Sequence, residues 1–333
     1  MSIWSKTVYG LNIVSSALLL LACIVPYTKS ASLSFLSLTV PVLVLTNFLF
    51  LLYWLMVVPK KLWLSFAVLV LGCFSLGSFV QFNSTDNNEE DVLKVMSYNV
   101  EKFNDDNGNG RSIQGKGIIE FIKKEDPDIL CIQEYSRIWN ERLKHFKYFS
   151  QTPYSSGKTN QAIYSKYPIV EEGSLKFPNS LNNSIYVDIR YKKDTLRVYN
   201  LHLESLKVRP RSLKRERSDR LLGRLRYSFA KQQEQADLIR AHMNQVDYKK
   251  IVCADMNNTQ YSYAYQELKQ DMEDSFLEKG NGYGTTIKFW KFPLRIDFIL
   301  ADPGIDILSH KNYKVSLSDH EPIMATLKVG PHE

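Results

Sequence analysis

Three long apolar stretches open the chain, at 8–25, 33–58 and 62–82, and only short apolar runs follow them. A helix needs about 20 mostly apolar residues to cross a bilayer. The second and third stretches reach that length, while Asn12, Ser15 and Ser16 dilute the first. Pro41 is tolerable in a lipid-buried helix. A cleaved signal peptide would need a small-residue cleavage site after the first stretch, and none stands out. Residues 1–82 are therefore expected to form a transmembrane region of about three helices. The acidic segment NSTDNNEED at 83–91 has no apolar period and reads as a linker.

Beyond it the pattern changes. Strands are expected at 92–98, 128–133, 162–164, 185–191, 196–203, 251–254, 296–300 and 324–329. Apolar residues at Ile118, Ile119, Phe121 and Ile122 predict a helix over 113–124, closed by Asp126-Pro127. A helical pattern also covers 212–246, as one helix or as two broken at Gly223. Mixed strands and helices over 92–329 point to a single α/β (α+β) domain.

Charge adds one feature. The formal net charge is +7, and 207–226 alone holds nine basic and two acidic residues, a local +7. Lys207, Arg209, Arg211, Lys214, Arg215 and Arg217 are candidates to contact a polyanion or an anionic surface; a solvated helix face explains them equally well. The membrane part has its own pattern. Lys6, Lys60 and Lys61 fall on one side of a three-helix arrangement, which the positive-inside rule makes the cytoplasmic side of a cell (inner) membrane. The domain then lies outside the cytoplasm, and only Lys29 opposes this. Four cysteines with no metal-ligand spacing read as free thiols.

The candidate chemistry sits where polar residues interrupt strands. Asn99 ends VLKVMSY, Glu134 ends DILCIQ, and Asp255 ends IVCA with Asn257 two residues on. Asn200 and His202 lie two apart in RVYNLHL and so share a strand face. Asp297 lies in RIDFIL and Asp319-His320 in LSDHEPI. Adjacent residues diverge in a regular strand, which makes Asp297 the better carboxylate partner for the His320 ring. Each has a plainer reading: Asn99 as a cap, Glu134 solvated, His202 in the core, Asp255-Asn257 as an Asx turn. As a set they place carboxylates, amides and histidines at several strand ends, without Cys, which suits a hard cation such as Mg²⁺ or Mn²⁺.

The order of these motifs resembles the endonuclease/exonuclease/phosphatase superfamily, with its deoxyribonuclease I-like fold. MSYNV, PDILCIQE, YNLHLES, CADMN, RIDFIL and SDHEPI carry the resemblance, with AIYSKYPI between the second and third. The fourth departs from the common Gly-Asp-Phe-Asn, with Ala254 and Met256 beside the two polar residues. The resemblance implies a four-layer sandwich and a metal-dependent phosphoesterase. It further implies Glu134 as main metal ligand with Asn99 and Asp319 near, and Asp255 as the group that orients and deprotonates water. Asn257 and His202 would hold phosphate oxygens, Asn200 would support the site or touch phosphate, and His320, steadied by Asp297, would stabilise developing charge.

The substrate stays open between nucleic acid and lipid or inositol phosphates. The membrane anchor favours lipid, and the frequency of nucleases in the superfamily favours nucleic acid. NGYGTTIKFW, at 281–290, either shapes the pocket or is a surface hairpin. A silent, membrane-tethered polyanion-binding module is the alternative of another class, although such a module would be expected to have lost part of the polar set. Besides the phosphate-ester substrate and the lipid bilayer, the sequence points to no protein partner.

Overall fold

The computed structural model describes residues 3–83, 91–105, 110–207, 217–289 and 292–330. Helices α1 (Ile3–Ile24), α2 (Leu36–Val57) and α3 (Leu62–Leu76) occupy the three apolar stretches and pack on one another. All three are long and apolar enough to cross a membrane, the third once its leading turn at Pro59–Lys61 is included. The polar residues that dilute the first stretch face inward. Asn12 donates to Ser65 Oγ (2.7 Å) and accepts from Trp54 Nε1 (3.0 Å); Ser16 donates to Asn47 Oδ1 (2.8 Å), and Asn47 donates to Ser15 Oγ (2.9 Å). Lipid tails give helices no hydrophobic reason to associate, so small polar contacts of this kind hold a bundle together. The third stretch divides in a way that composition hides. Its helix ends at Leu76, Gly77 turns the chain at φ 76°, and Gln81–Phe82 pairs antiparallel with Asn281–Gly282.

Twelve strands build the body of the remaining chain. In order they are β1 (Leu93–Asn99), β2 (Ile129–Gln133), β3 (Tyr148–Gln151), β4 (Ala162–Ser165), β5 (Ile169–Lys176), β6 (Asn183–Tyr191), β7 (Asp194–His202), β8 (Lys249–Asp255), β9 (Glu273–Asp274), β10 (Asp297–Ala301), β11 (Ile305–Asn312) and β12 (Ile323–Val329). They form two six-stranded sheets, ordered β11-β12-β1-β2-β4-β3 and β9-β10-β8-β7-β6-β5. Each sheet has one parallel pair near its centre, β1 with β2 and β7 with β8. A parallel pair needs a crossover. Helix α4 (Ile113–Glu125) supplies the first and α5 (Ser218–Met243) the second. The inner faces meet in a core of Leu93, Val95, Ile129, Cys131, Val198, Ile251, Cys253 and Ile299. Ile118, Ile119 and Ile122 of α4 cover the outside of one sheet; Ala236, Ile239 and Met243 of α5, with α6 (Tyr263–Lys269), cover the other. The result is the expected four-layer sandwich. Both cysteines at the sheet interface are free and buried.

Of the two readings of the helical pattern the single helix holds, and α5 runs through Gly223 without a break. Strands β3, β5, β9 and β11 were not expected, and all four involve the outer margins of the sheets. An edge strand buries little; β5 shows hardly any buried position along its length, so it lacks the apolar alternation that marks a strand.

The bundle and the sandwich touch. Val25, Leu36 and Val40 pack with Tyr261, and Lys29 forms an ion pair with Asp237 of α5. The one cation that opposed the expected orientation is therefore held by a carboxylate of the other part.

Candidate active site

The strand alternation that builds the inter-sheet core becomes polar at one end. On β1 the inner face runs Leu93, Val95, Ser97, Asn99; on β7 it runs Leu196, Val198, Asn200, His202; on β8 it runs Ile251, Cys253, Asp255. Register aligns these ends, with His202 opposite Asp255, and Asp255 opposite Asp297. The carboxyl ends of both parallel pairs thus meet, which is where open α/β sheets place ligands.

Asp255 is the hub. It is fully buried, and its Oδ2 accepts from Asn99 Nδ2 at 2.9 Å. His202 Nε2 lies 3.6 Å from the same oxygen and His320 Nε2 lies 3.8 Å away. Asp255 Oδ1 accepts from Asn257 N at 2.9 Å, so the Asx turn and the site are one structure. Glu134, at φ 49°, brings Oε1 to 3.5 Å from Asn99 Nδ2 and 3.8 Å from His202 Nε2. His320 Nδ1 meets Asp297 Oδ2 at 2.9 Å, as expected from the sequence. Burial opposes a charge on His320, but Asp297 and Asp255 outweigh it and hold the imidazolium well above its ordinary range. Asp297 is shifted upward by burial, against the pull of His320. Thr286 accepts from the Asp297 backbone N–H (3.2 Å), and Ile287 bridges to His320, so the 281–289 segment backs the pocket; Ile287–Phe289 also pairs antiparallel with Phe292–Leu294, and Trp290 lies outside the described residues.

Asn200 lies between the two sheets. Fully buried, its amide donates to Ile132 O (2.9 Å) and Ala162 O (3.0 Å) and accepts from Gln133 Nε2 (2.8 Å). These bonds join the two sheets beneath the site. Asp319 is exposed at the rim, where Ser318 Oγ bonds both its carboxylate (3.2 Å) and Asn99 O (2.9 Å). The exposed Lys207 pairs with the buried Glu204 (3.5 Å) and Arg217 sits in an exposed pair with Asp219 (3.1 Å), whereas Arg209, Arg211, Lys214 and Arg215 lie outside the described residues.

Sequence reasoning missed Glu101 and Gln133. Gln133 continues the inner-face alternation of Ile129 and Cys131 and was legible from it. Glu101 was not, because it opens a left-handed turn, with φ of 44°, 53°, 64° and 48° from Glu101 to Asn104. Such residues cost about 1–2 kcal/mol each and persist only where packing enforces them. Here Phe103 stacks on Trp139 at 5.0 Å and Asn104 donates to Leu317 O at 2.8 Å. The Glu101 carboxyl is held above its usual range by partial desolvation and by Asp319 and Glu134.

Asp255, Asp297 and His320 bring ligand atoms within 4.8 Å of one another, close enough to hold a metal ion. Glu134 lies on the other side of Asn99 from this group, with Oε1 3.5 Å from Asn99 Nδ2.

A family model described as Endonuclease/Exonuclease/phosphatase family matches residues 96–320. The chain belongs to the endonuclease/exonuclease/phosphatase family. It is thereby a phosphoesterase, a hydrolase of ester bonds. A second model, a domain of unknown function (DUF8431), matches 5–79. Among solved structures, a family protein from Bacteroides vulgatus is 16% identical, with TM-score 0.54 over 72% of this chain and 100% of that one. D. rerio TDP2 complexed with single-strand DNA product gives 15%, 0.54, 72% and 100%, and the human Nocturnin catalytic domain gives 15%, 0.53, 71% and 94%. These share the fold. A DNA-(apurinic or apyrimidinic site) endonuclease of Dictyostelium discoideum is 41% identical over 46 residues, which is 14% of this chain and 11% of that protein. The match thus spans about a tenth of that relative.

Proposed function

We propose that the protein is a divalent-cation-dependent phosphodiesterase anchored in the membrane by 1–82, with 92–329 as catalytic domain. The observation that carries this is Asp255 Oδ2, with Asn99 at 2.9 Å, His202 at 3.6 Å and His320 at 3.8 Å around it. Asp255 is oriented by the Asn257 backbone and takes the proton of an attacking water. His320, a cation backed by Asp297, stabilises charge building on phosphorus-bound oxygen. His202 and the Asn257 amide hold phosphate oxygens, and Asn200 keeps the sheets in register beneath them. Glu134, Asn99 and Asp319 would hold the cation; their oxygens suit Mg²⁺ or Mn²⁺, which would neutralise phosphate charge.

Nucleic acid is the first substrate reading, since the names of two similar proteins refer to DNA. A phospholipid is favoured by a separate observation. The turn after Asp255 rests on the domain-side end of α2, where Ser37 meets Asn258 at 2.8 Å, so the catalytic turn lies against the helix bundle. The test is turnover of DNA, RNA, phospholipid vesicles and inositol phosphates by the full chain in detergent. One class is expected to be cleaved with Mg²⁺ or Mn²⁺ and to lose at least about 100-fold on chelation. Polyanion binding without cleavage would instead support the silent module.

The lysine pattern supports an extracytoplasmic domain: Lys60 and Lys61 lie at the end of the bundle remote from Lys29. A reporter enzyme fused after residue 333 is expected to be active only outside the cytoplasm. Cytoplasmic activity would reverse the orientation.

A further inference from the structure

The first turn of α2 is wired to the catalytic turn. Ser37 is fully buried although it belongs to the bundle. Its Oγ lies 2.8 Å from Asn258 Oδ1 and 2.6 Å from Ser34 O, and its carbonyl accepts from Thr259 Oγ1 at 2.8 Å. Asn258 passes the connection on, donating Nδ2 to Gln232 Oε1 at 2.8 Å. Gln232 Nε2 donates to Asn257 O at 3.3 Å and to Glu204 O at 2.8 Å. Asn257 N then donates to Asp255 Oδ1 at 2.9 Å. With the single Ser37 hydroxyl proton shared between Asn258 Oδ1 and Ser34 O, and Thr259 Oγ1 donating to the Ser37 carbonyl, a series of hydrogen bonds runs from α2, through α5, to the carboxylate at the centre of the site. Ser37, Asn258, Thr259 and Gln232 are each at most 2% exposed, so water cannot replace these bonds.

Asn257 sits at φ 50°, in the left-handed region that asparagine adopts more readily than other non-glycine residues. The groups that bond this turn are Asp255, Leu203 O (3.1 Å from Asn257 Nδ2) and Gln232, and the last is fixed from the membrane side. An apolar collar closes the contact, with Phe79 and Tyr261 rings at 5.6 Å.

We propose that Ser37 is a positioning residue, through which the assembled bundle sets the Asp255–Asn257 turn in its reacting geometry. The bundle is on this account a wall of the active site as well as an anchor. The inference rests on the phosphodiesterase reading. A misplacement of about 1 Å can cost about 100-fold in rate, so a partial loosening of this turn is expected near tenfold.

The experiment uses the full chain in detergent with Mg²⁺ and bis-p-nitrophenyl phosphate as a generic phosphodiester. Ser37→Ala is expected to lower kcat about tenfold with KM within about twofold, and Ser37→Thr, which keeps the hydroxyl, to restore it. Ser34→Ala is the control, because Gln233 Nε2 donates to Ser34 Oγ (3.2 Å) across the same interface without leading to Asp255; kcat should hold. Equal losses for Ser37→Ala and Ser34→Ala, or no loss for Ser37→Ala, would overturn the positioning role and leave the phosphodiesterase intact. Wild-type protein inert on this ester and on every substrate of the panel would remove the phosphodiesterase reading, and the inference with it.

Discussion

Asp255→Asn is expected to lower kcat by about 10³-fold, within the range typical of lost general acid–base groups, with KM nearly unchanged. The substitution preserves shape and the bond from Asn257, yet removes the charge that accepts a proton. It also places an amide where Asn99 already donates at 2.9 Å, so the local bonding must reverse. His320→Gln is expected to cost about 10²–10³-fold by removing a preorganised positive charge. Both groups act on one transition state, so the double variant should lose little more than Asp255→Asn alone. Steady-state kinetics on the cleaved substrate decide the matter. An Asp255→Asn enzyme retaining a third of wild-type kcat would move the catalytic centre elsewhere.

The largest stability effect is expected far from the site. Arg197 and Asp188 face each other across β7 and β6 and bond twice, at 2.6 and 2.7 Å, with both side chains almost fully buried. Asp188 outweighs the burial of Arg197 and holds the guanidinium above its already high range, and the Tyr186 ring lies 4.4 Å from it. Arg197→Met leaves a buried carboxylate without its partner, and breaking such a pair costs about 3–5 kcal/mol. The melting temperature should fall by roughly 10 °C for a domain of this size. The double variant Asp188→Leu/Arg197→Met should recover most of that, since a well-packed apolar pair is often no worse than an ion pair. If Arg197→Met melts with the wild type, the pair carries no net stabilisation.

What the sequence disclosed follows from where information is local. The core strands were legible because both faces are buried and their residues form short apolar runs. The site was legible for the same reason: a polar residue at the inward position of such a strand is conspicuous, as Asn99, His202 and Asp255 are. The edge strands β3 and β5 were not, because they bury too little to leave a pattern. Glu101 stayed hidden since its place depends on a left-handed turn held by Trp139, which is remote in the chain. Asn200 was seen, but its partners, Ile132 and Ala162 on the other sheet, were not, because they are remote in the chain. Ser37 carried no signal at all, because a serine in an apolar helix reads as dilution until its partner Asn258 is known.

The short pairing of Gln81–Phe82 with Asn281–Gly282 changes what the 83–91 segment can do. Asn83 adds to it, donating Nδ2 to Leu277 O at 3.0 Å and accepting from Asn281 Nδ2 at 2.9 Å. The chain leaving the bundle is thus stitched to the sandwich before the acidic segment begins. A protease that cuts within 84–90 would sever the polypeptide without shedding the catalytic part, and lengthening that segment would give it no greater reach from the bilayer.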